Sequence, residues 1–147
     1  MKLAAALLLL PLAPLALGQG GVKKNNPYRV IVSCTCADST GQAFATSLRD
    51  RIATSPRYEE ISNTLENRKS AIELSIVSID VFPKNLGHSS AFAVAMTIDG
   101  SLYDLWVQTA SVHTAGSAAA TLLSSMDEDV SKFQAEADAG QQKVAYQ

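Results

Sequence analysis

The stretch AFAVAMTIDGSLYDLWVQTA, running from Ala91 to Ala110, decides the fold. Asp99 and Gly100 at its centre are residue types that accept the positive φ of a two-residue hairpin turn, and the flanks alternate, so two antiparallel strands are expected. With that turn, Met96 faces Tyr103, Val94 faces Leu105 and Phe92 faces Val107, an apolar face throughout. The other face pairs Thr97 with Leu102, Ala95 with Asp104 and Ala93 with Trp106, a mixed set. Helices are expected to cover the first face.

Upstream, Ile72, Leu74, Ile76, Ser78, Asp80 and Phe82 alternate with Ala71, Glu73, Ser75, Val77, Ile79 and Val81. This long strand is apolar on both faces near its middle, which predicts a central place in the sheet. Pro83 to His88 read as the turn that follows. Asn63 to Ser70 read as a loop or hairpin tip, and Tyr58 to Ile61 as a short strand. Tyr28 to Cys36 alternate again and form the first strand.

Between these strands, Phe44, Leu48 and Ile52 recur at helical spacing. Ser39 and Gln42 have the spacing of a capping box and Pro56 is a stop, so a helix is expected from Gly41 to Thr54. Downstream of the hairpin, Ala119, Leu122, Leu123, Met126, Val130, Phe133 and Ala137 keep three- and four-residue steps. That predicts a second helix from Gly116 to Ala137, ended by Gly140, with Asp127, Glu128 and Asp129 on its solvated side. The expected fold is a two-layer α/β sandwich: a mixed, mainly antiparallel sheet of four to five strands with two helices on one face.

The chain is 147 residues long, 47% hydrophobic and 18% charged, which suits one globular domain and excludes wholesale disorder. Lys2, the apolar run Leu3 to Leu17 and the small-x-small end at Ala16 and Gly18 read as a secretory signal peptide cleaved before Gln19. The run is too short and too rich in proline for a membrane anchor. Residues 19–27 read as a flexible lead-in, 28–139 as the domain and 140–147 as a tail. Cleavage removes Lys2 and leaves eleven basic against fourteen acidic residues, a net charge of −3. Without a basic stripe, nucleic acid is not an expected partner. The expected location is secreted or periplasmic, with no membrane anchor after cleavage.

The element order, with Gly41, Gln42, Ala45, Leu48, Arg51, Ile52, Ser55, Arg57, Tyr58 and Glu59, resembles the amino-terminal domain of TolB and its relatives, the lipoprotein activators of penicillin-binding proteins and the CsgG-like secretion lipoproteins. The resemblance covers about residues 28–137. It implies a non-catalytic envelope module that binds other proteins. The chain departs from that group in Pro56, which stands where a glycine is frequent, and in lacking the lipoprotein cysteine and the propeller that follows in TolB.

Chemistry-bearing residues are few. Cys34 and Cys36 are the only cysteines, and in an exported chain they are read as a local disulfide or buried thiols, or alternatively as a redox pair or a Cu(I) thiolate site. His88 and His113 stand alone, with no zinc-ligand spacing. No serine sits in a G-x-S-x-G elbow, and the run Asp38, Ser39, Thr40, Gly41 is explained by helix capping. No catalytic residue, metal or cofactor is expected. If the face opposite the helices is left open, Trp106, Leu102, Ile72, Leu74 and Ile76 would form an apolar interaction surface. If the face assignment is reversed, or residues 19–27 fold over it, they would be buried. The leading expectation is an exported, non-enzymatic module that binds a protein partner or itself through this sheet face. The alternative is a small redox or copper-handling protein using Cys34 and Cys36.

Overall fold

The computed structural model describes residues 26–81 and 89–144, the last five as backbone only. The expected signal peptide, most of the expected lead-in, the expected turn Pro83 to His88 and the last three residues of the expected tail lie outside the described residues. The elements are β1 (Tyr28–Cys36), α1 (Ser39–Thr54), β2 (Tyr58–Glu60), a 3-10 turn (Asn67–Ser70), β3 (Ile72–Asp80), β4 (Ser90–Ile98), β5 (Ser101–Ala110) and α2 (Ala115–Val144). The sheet order is β2-β1-β3-β4-β5. β1 pairs parallel with both β2 and β3, while β3, β4 and β5 form an antiparallel meander. Two helices packed together cover one face of this five-stranded mixed sheet, and β3 is its central strand.

The core lies between the layers. α1 buries Phe44, Ala45, Leu48 and Ile52, and α2 buries Ala115, Ala119, Leu122, Met126 and Val130. From the sheet they meet Val30, Val32, Leu74, Ile76, Phe92, Val94 and Met96. The helix-capping residue is Asp38 rather than Ser39. Its backbone is extended and its carboxylate accepts the Gly41 amide at 2.7 Å, so the reach to the third amide of the helix starts one residue earlier than the Ser39/Gln42 spacing suggests. Gly140 does not end α2. A glycine inside a helix costs only ~1 kcal/mol relative to alanine, and the helix-forming residues Ala139, Gln141, Gln142 and Lys143 around it carry the helix to Val144.

The hairpin departs from the expected register. Asp99 and Gly100 take φ of 51° and 76°, and Ile98↔Ser101 and Thr97↔Leu102 pair as the turn requires. A β-bulge then interrupts the ladder, so that Met96 pairs with Asp104, Ala95 with Leu105, Val94 with Trp106 and Ala93 with Val107. One extra residue in β5 exchanges the faces of everything after it. The physical gain is aromatic. Tyr103 and Trp106 both pack against the helix-covered core, where the Tyr103 hydroxyl donates to the Asp129 carbonyl at 3.2 Å and the ring meets Phe133 edge-on at 5.7 Å. Leu105 and Val107, expected under the helices, stand on the opposite side instead.

That opposite side is partly roofed. Residues 61–71 return from β2 to the start of β3 across β1, held by Arg29, which donates to Ser70 Oγ at 3.0 Å and to Asn67 Oδ1 at 2.7 Å. Arg68 meets Glu73 at 3.6 Å. Ile31, outside the helix-covered cluster, is fully buried on this side. Beyond β1 the sheet face has no covering layer among the described residues.

Candidate interaction surface

On the uncovered face, strand alternation brings together Val77 and Ile79 of β3, Ala91, Ala93 and Ala95 of β4, and Leu105, Val107 and Thr109 of β5. Val77 is 49% exposed, Ile79 63%, Leu105 54% and Val107 73%. The three alanines make a low floor between the ridges of β3 and β5, and a groove of about 200 Å³ runs there between Val77, Ile79 and Val107. Among the described residues no charged side chain belongs to this half of the face. The polar half, with Ser33, Ser75, Glu73 and Thr97, lies toward the roofed end. Exposed apolar areas of this kind are uncommon on monomers and commonly mark binding surfaces.

This surface is not the set expected from the sequence. Ile72, Leu74 and Ile76 are buried under the helices, because β3 turns its even-numbered residues to Ile98, Met96 and Val94 on the covered face. Trp106 lies on that same face through the bulge, partly buried against the core. Only Leu102, 64% exposed beside the turn, stands on the uncovered side. The five residues therefore do not form one patch. Residues missed by the sequence reading, Val77, Ile79 and Val107, were legible as apolar but were assigned to buried positions. Since Trp106 packs inside the monomer, Trp106→Ala is expected to cost about 2–3 kcal/mol of folding stability, below the figure for a fully enclosed tryptophan. Chemical denaturation of that variant checks it, and an unchanged midpoint would place the indole outside the core.

At the carboxyl end of β1, Cys34 and Cys36 are joined by a disulfide, with Cα atoms 5.3 Å apart. That is shorter than the spacing of a regular strand, so β1 contracts at its end to close the ring. Both cysteines are partly buried beside the start of α1, where the Cys34 sulfur is 4.0 Å from the Gly41 carbonyl. Next to them Asp38 accepts Ser78 Oγ at 2.7 Å and Ser90 Oγ at 2.6 Å in addition to the Gly41 amide. Burial pushes this carboxyl up, but the hydrogen bonds from Ser90, Ser78 and Gly41 together outweigh it and hold the group below its ordinary 3.8. A carboxylate so stabilised is a weak base, so the cluster ties strand ends to a helix start rather than activating a serine. Gly41 is required there: a Cβ on it would fall on the Ser78 side chain and lie 3.1 Å from Cys36 Cβ.

A second set of polar contacts is also structural. Tyr58 donates to Asp127 Oδ1 at 2.6 Å, Tyr28 to Gln134 Oε1 at 2.6 Å, and Arg57 lies against both rings while bonding Ser131 at 2.7 Å. These contacts fasten β1 and β2 to α2. Burial, then the bond to Asp127, raises the Tyr58 hydroxyl above its ordinary 10.0 and keeps it protonated. His113 is exposed just before α2. Among the described residues no group of three His, Cys, Asp or Glu side chains is placed to hold a metal, and no helix is long and apolar enough to cross a membrane. Compared with protein-family models, with curated proteins and with solved structures, the chain matches none.

Proposed function

We propose that this protein is an exported, non-catalytic interaction module that binds a protein partner, or itself, through the uncovered sheet face. The observation that carries the reading is the uncharged patch of Val77, Ile79, Leu105 and Val107, four large aliphatic side chains each about half exposed or more. Leaving them in water forgoes roughly 1 kcal/mol or more apiece that burial would return, and a partner recovers it. The Asp38 cluster and the Tyr58 clamp are satisfied within the fold and supply no poised acid, base or nucleophile to compete with that reading. The apolar face shifts the expected surface from Trp106 to the β3 and β5 ridges.

The double variant Ile79→Glu, Val107→Glu tests this. Both positions are exposed, so its thermal midpoint should stay within a few degrees of wild type, while association should weaken by about 30-fold or more, a hot-spot-sized loss. Sedimentation and partner capture with purified mature protein measure both. Undiminished association by the folded variant would discard the sheet face as the binding surface.

A further inference from the structure

We infer that the occupant of the uncovered face is a second copy of this chain, packed sheet to sheet about a two-fold axis. The inference rests on the reading that this face binds protein, and it names the partner.

The first argument is shape. Self-association about a two-fold axis requires one patch to carry both a projection and its complement. β5 projects Leu105 and Val107, whereas the apolar half of neighbouring β4 presents Ala91, Ala93 and Ala95, and the groove opens over these alanines between Val107 and the β3 ridge of Val77 and Ile79. An offset pair of faces sets the β5 ridge of each copy into the alanine floor of the other. The two contacts are then equivalent. Packed sheets stand about 10 Å apart, a spacing that aliphatic side chains on one side and alanines on the other can fill.

The second argument is charge. The chain is acidic overall, and two like surfaces bearing its average charge would repel each other. The patch consists of Val77, Ile79, three alanines, Leu105, Val107 and Thr109, so bringing two copies together sets no charge against its own kind.

The third is the state of the alternative route. β5 is an edge strand, and edge pairing would be the obvious way for a sheet to add strands. Its first half is blunted: the bulge breaks the ladder there and Asp104 Oδ1 takes the Leu105 amide at 2.7 Å. That half of the edge is thereby a poor template for strand addition. The apolar area on offer is on the order of 500 Å² per copy, below the ~800 Å² of a standard interface, so a reversible dimer in the micromolar range is expected.

Complementation tests the arrangement. Wild-type mature protein, followed by analytical ultracentrifugation from about 1 to 300 µM, should pass from monomer to dimer. Val107→Asp and Ala93→Lys should each remain monomeric over that range and stay folded by circular dichroism. Mixed one to one, they should recover a heterodimer at least ~10-fold tighter than either homodimer, because one contact becomes an ion pair and the other is wild type. Trp106→Ala, inside the monomer, should still dimerise to the extent that it is folded. A wild type that stays monomeric throughout overturns the inference, and leaves the sheet-face reading intact if Ile79→Glu, Val107→Glu still loses a different protein partner. A dimer that Val107→Asp and Ala93→Lys leave untouched overturns the inference too, by placing self-association elsewhere. Two monomeric variants that fail to recover on mixing overturn the offset geometry.

Discussion

Asp38→Ala should remove about 3–5 kcal/mol of folding stability, although Asp38 is only partly buried and forms no ion pair among the described residues. Loss of the helix cap alone is worth ~0.5–2 kcal/mol. The larger share comes from what the carboxylate leaves behind: the hydroxyls of Ser78 and Ser90, both buried, would keep their protons with no acceptor, at ~1–3 kcal/mol each. Asp38→Asn keeps one carbonyl oxygen and should lose less. The pH dependence has a definite sign. The folded-state carboxyl is held below 3.8, so its contribution is complete above that value and fades as pH falls through the folded pKa. The gap in urea midpoint between wild type and Asp38→Ala should therefore be widest at neutral pH and narrow as the pH is lowered below 3.8. A constant gap would show that the carboxylate charge is not what stabilises the cluster.

Phe44→Ala should be as damaging, at about 3–5 kcal/mol. Phe44 is fully buried on α1 and its ring stacks on Phe92 of β4 with centroids 4.8 Å apart and planes 18° from parallel. Truncation removes both the transfer free energy and the ring pair that joins the helix layer to the sheet. Domains of this size are stable by only ~5–15 kcal/mol, so the variant should lose a large share of its stability and unfold at a markedly lower urea concentration than wild type. Phe44→Leu fills most of the space and should cost under about 2 kcal/mol. Equal losses for the two variants would mean that the site tolerates no change of shape, and equal retention that it is not the centre of the core.

The strands, both helices and the two-layer arrangement were legible because their periodicity is unambiguous: Phe44, Leu48 and Ile52 fit only a helix, and the Asp99-Gly100 turn fits only a hairpin. The facing of β5 was not. From Leu102 to Val107 every residue except Asp104 is apolar, so alternation offers no preference between the two sides. The turn predicts one facing and the packing of Tyr103 and Trp106 imposes the other. β3 misled for a related reason. Its apolar character on both faces predicts the central place that it holds, but not which face the helices cover: Ile72, Leu74 and Ile76 pack beneath them, and Val77 and Ile79 stand on the other side. The surface that carries the functional reading thus lay in residues assigned to buried positions. The Asp38 cluster was invisible for a different reason, since Ser78 and Ser90 reach it only through strand pairing 40 and 52 residues away.

The bulge also makes β5 a matter of parity. A change of length among residues 61–71 would disturb the roof that Arg29 holds on the side of Ile31, but it would leave the facing of every strand as it is. At the bulge, between Leu102 and Leu105, loss of one residue acts differently: it restores the plain register of a two-residue turn and inverts the strand beyond, sending Trp106 outward and Leu105 and Val107 under the helices. Such a change would spare the composition, the net charge and most of the hydrophobicity of the chain while replacing the share that β5 contributes to its exposed face. Two sequences differing by one residue in this strand would share a fold and present opposite surfaces to everything they meet.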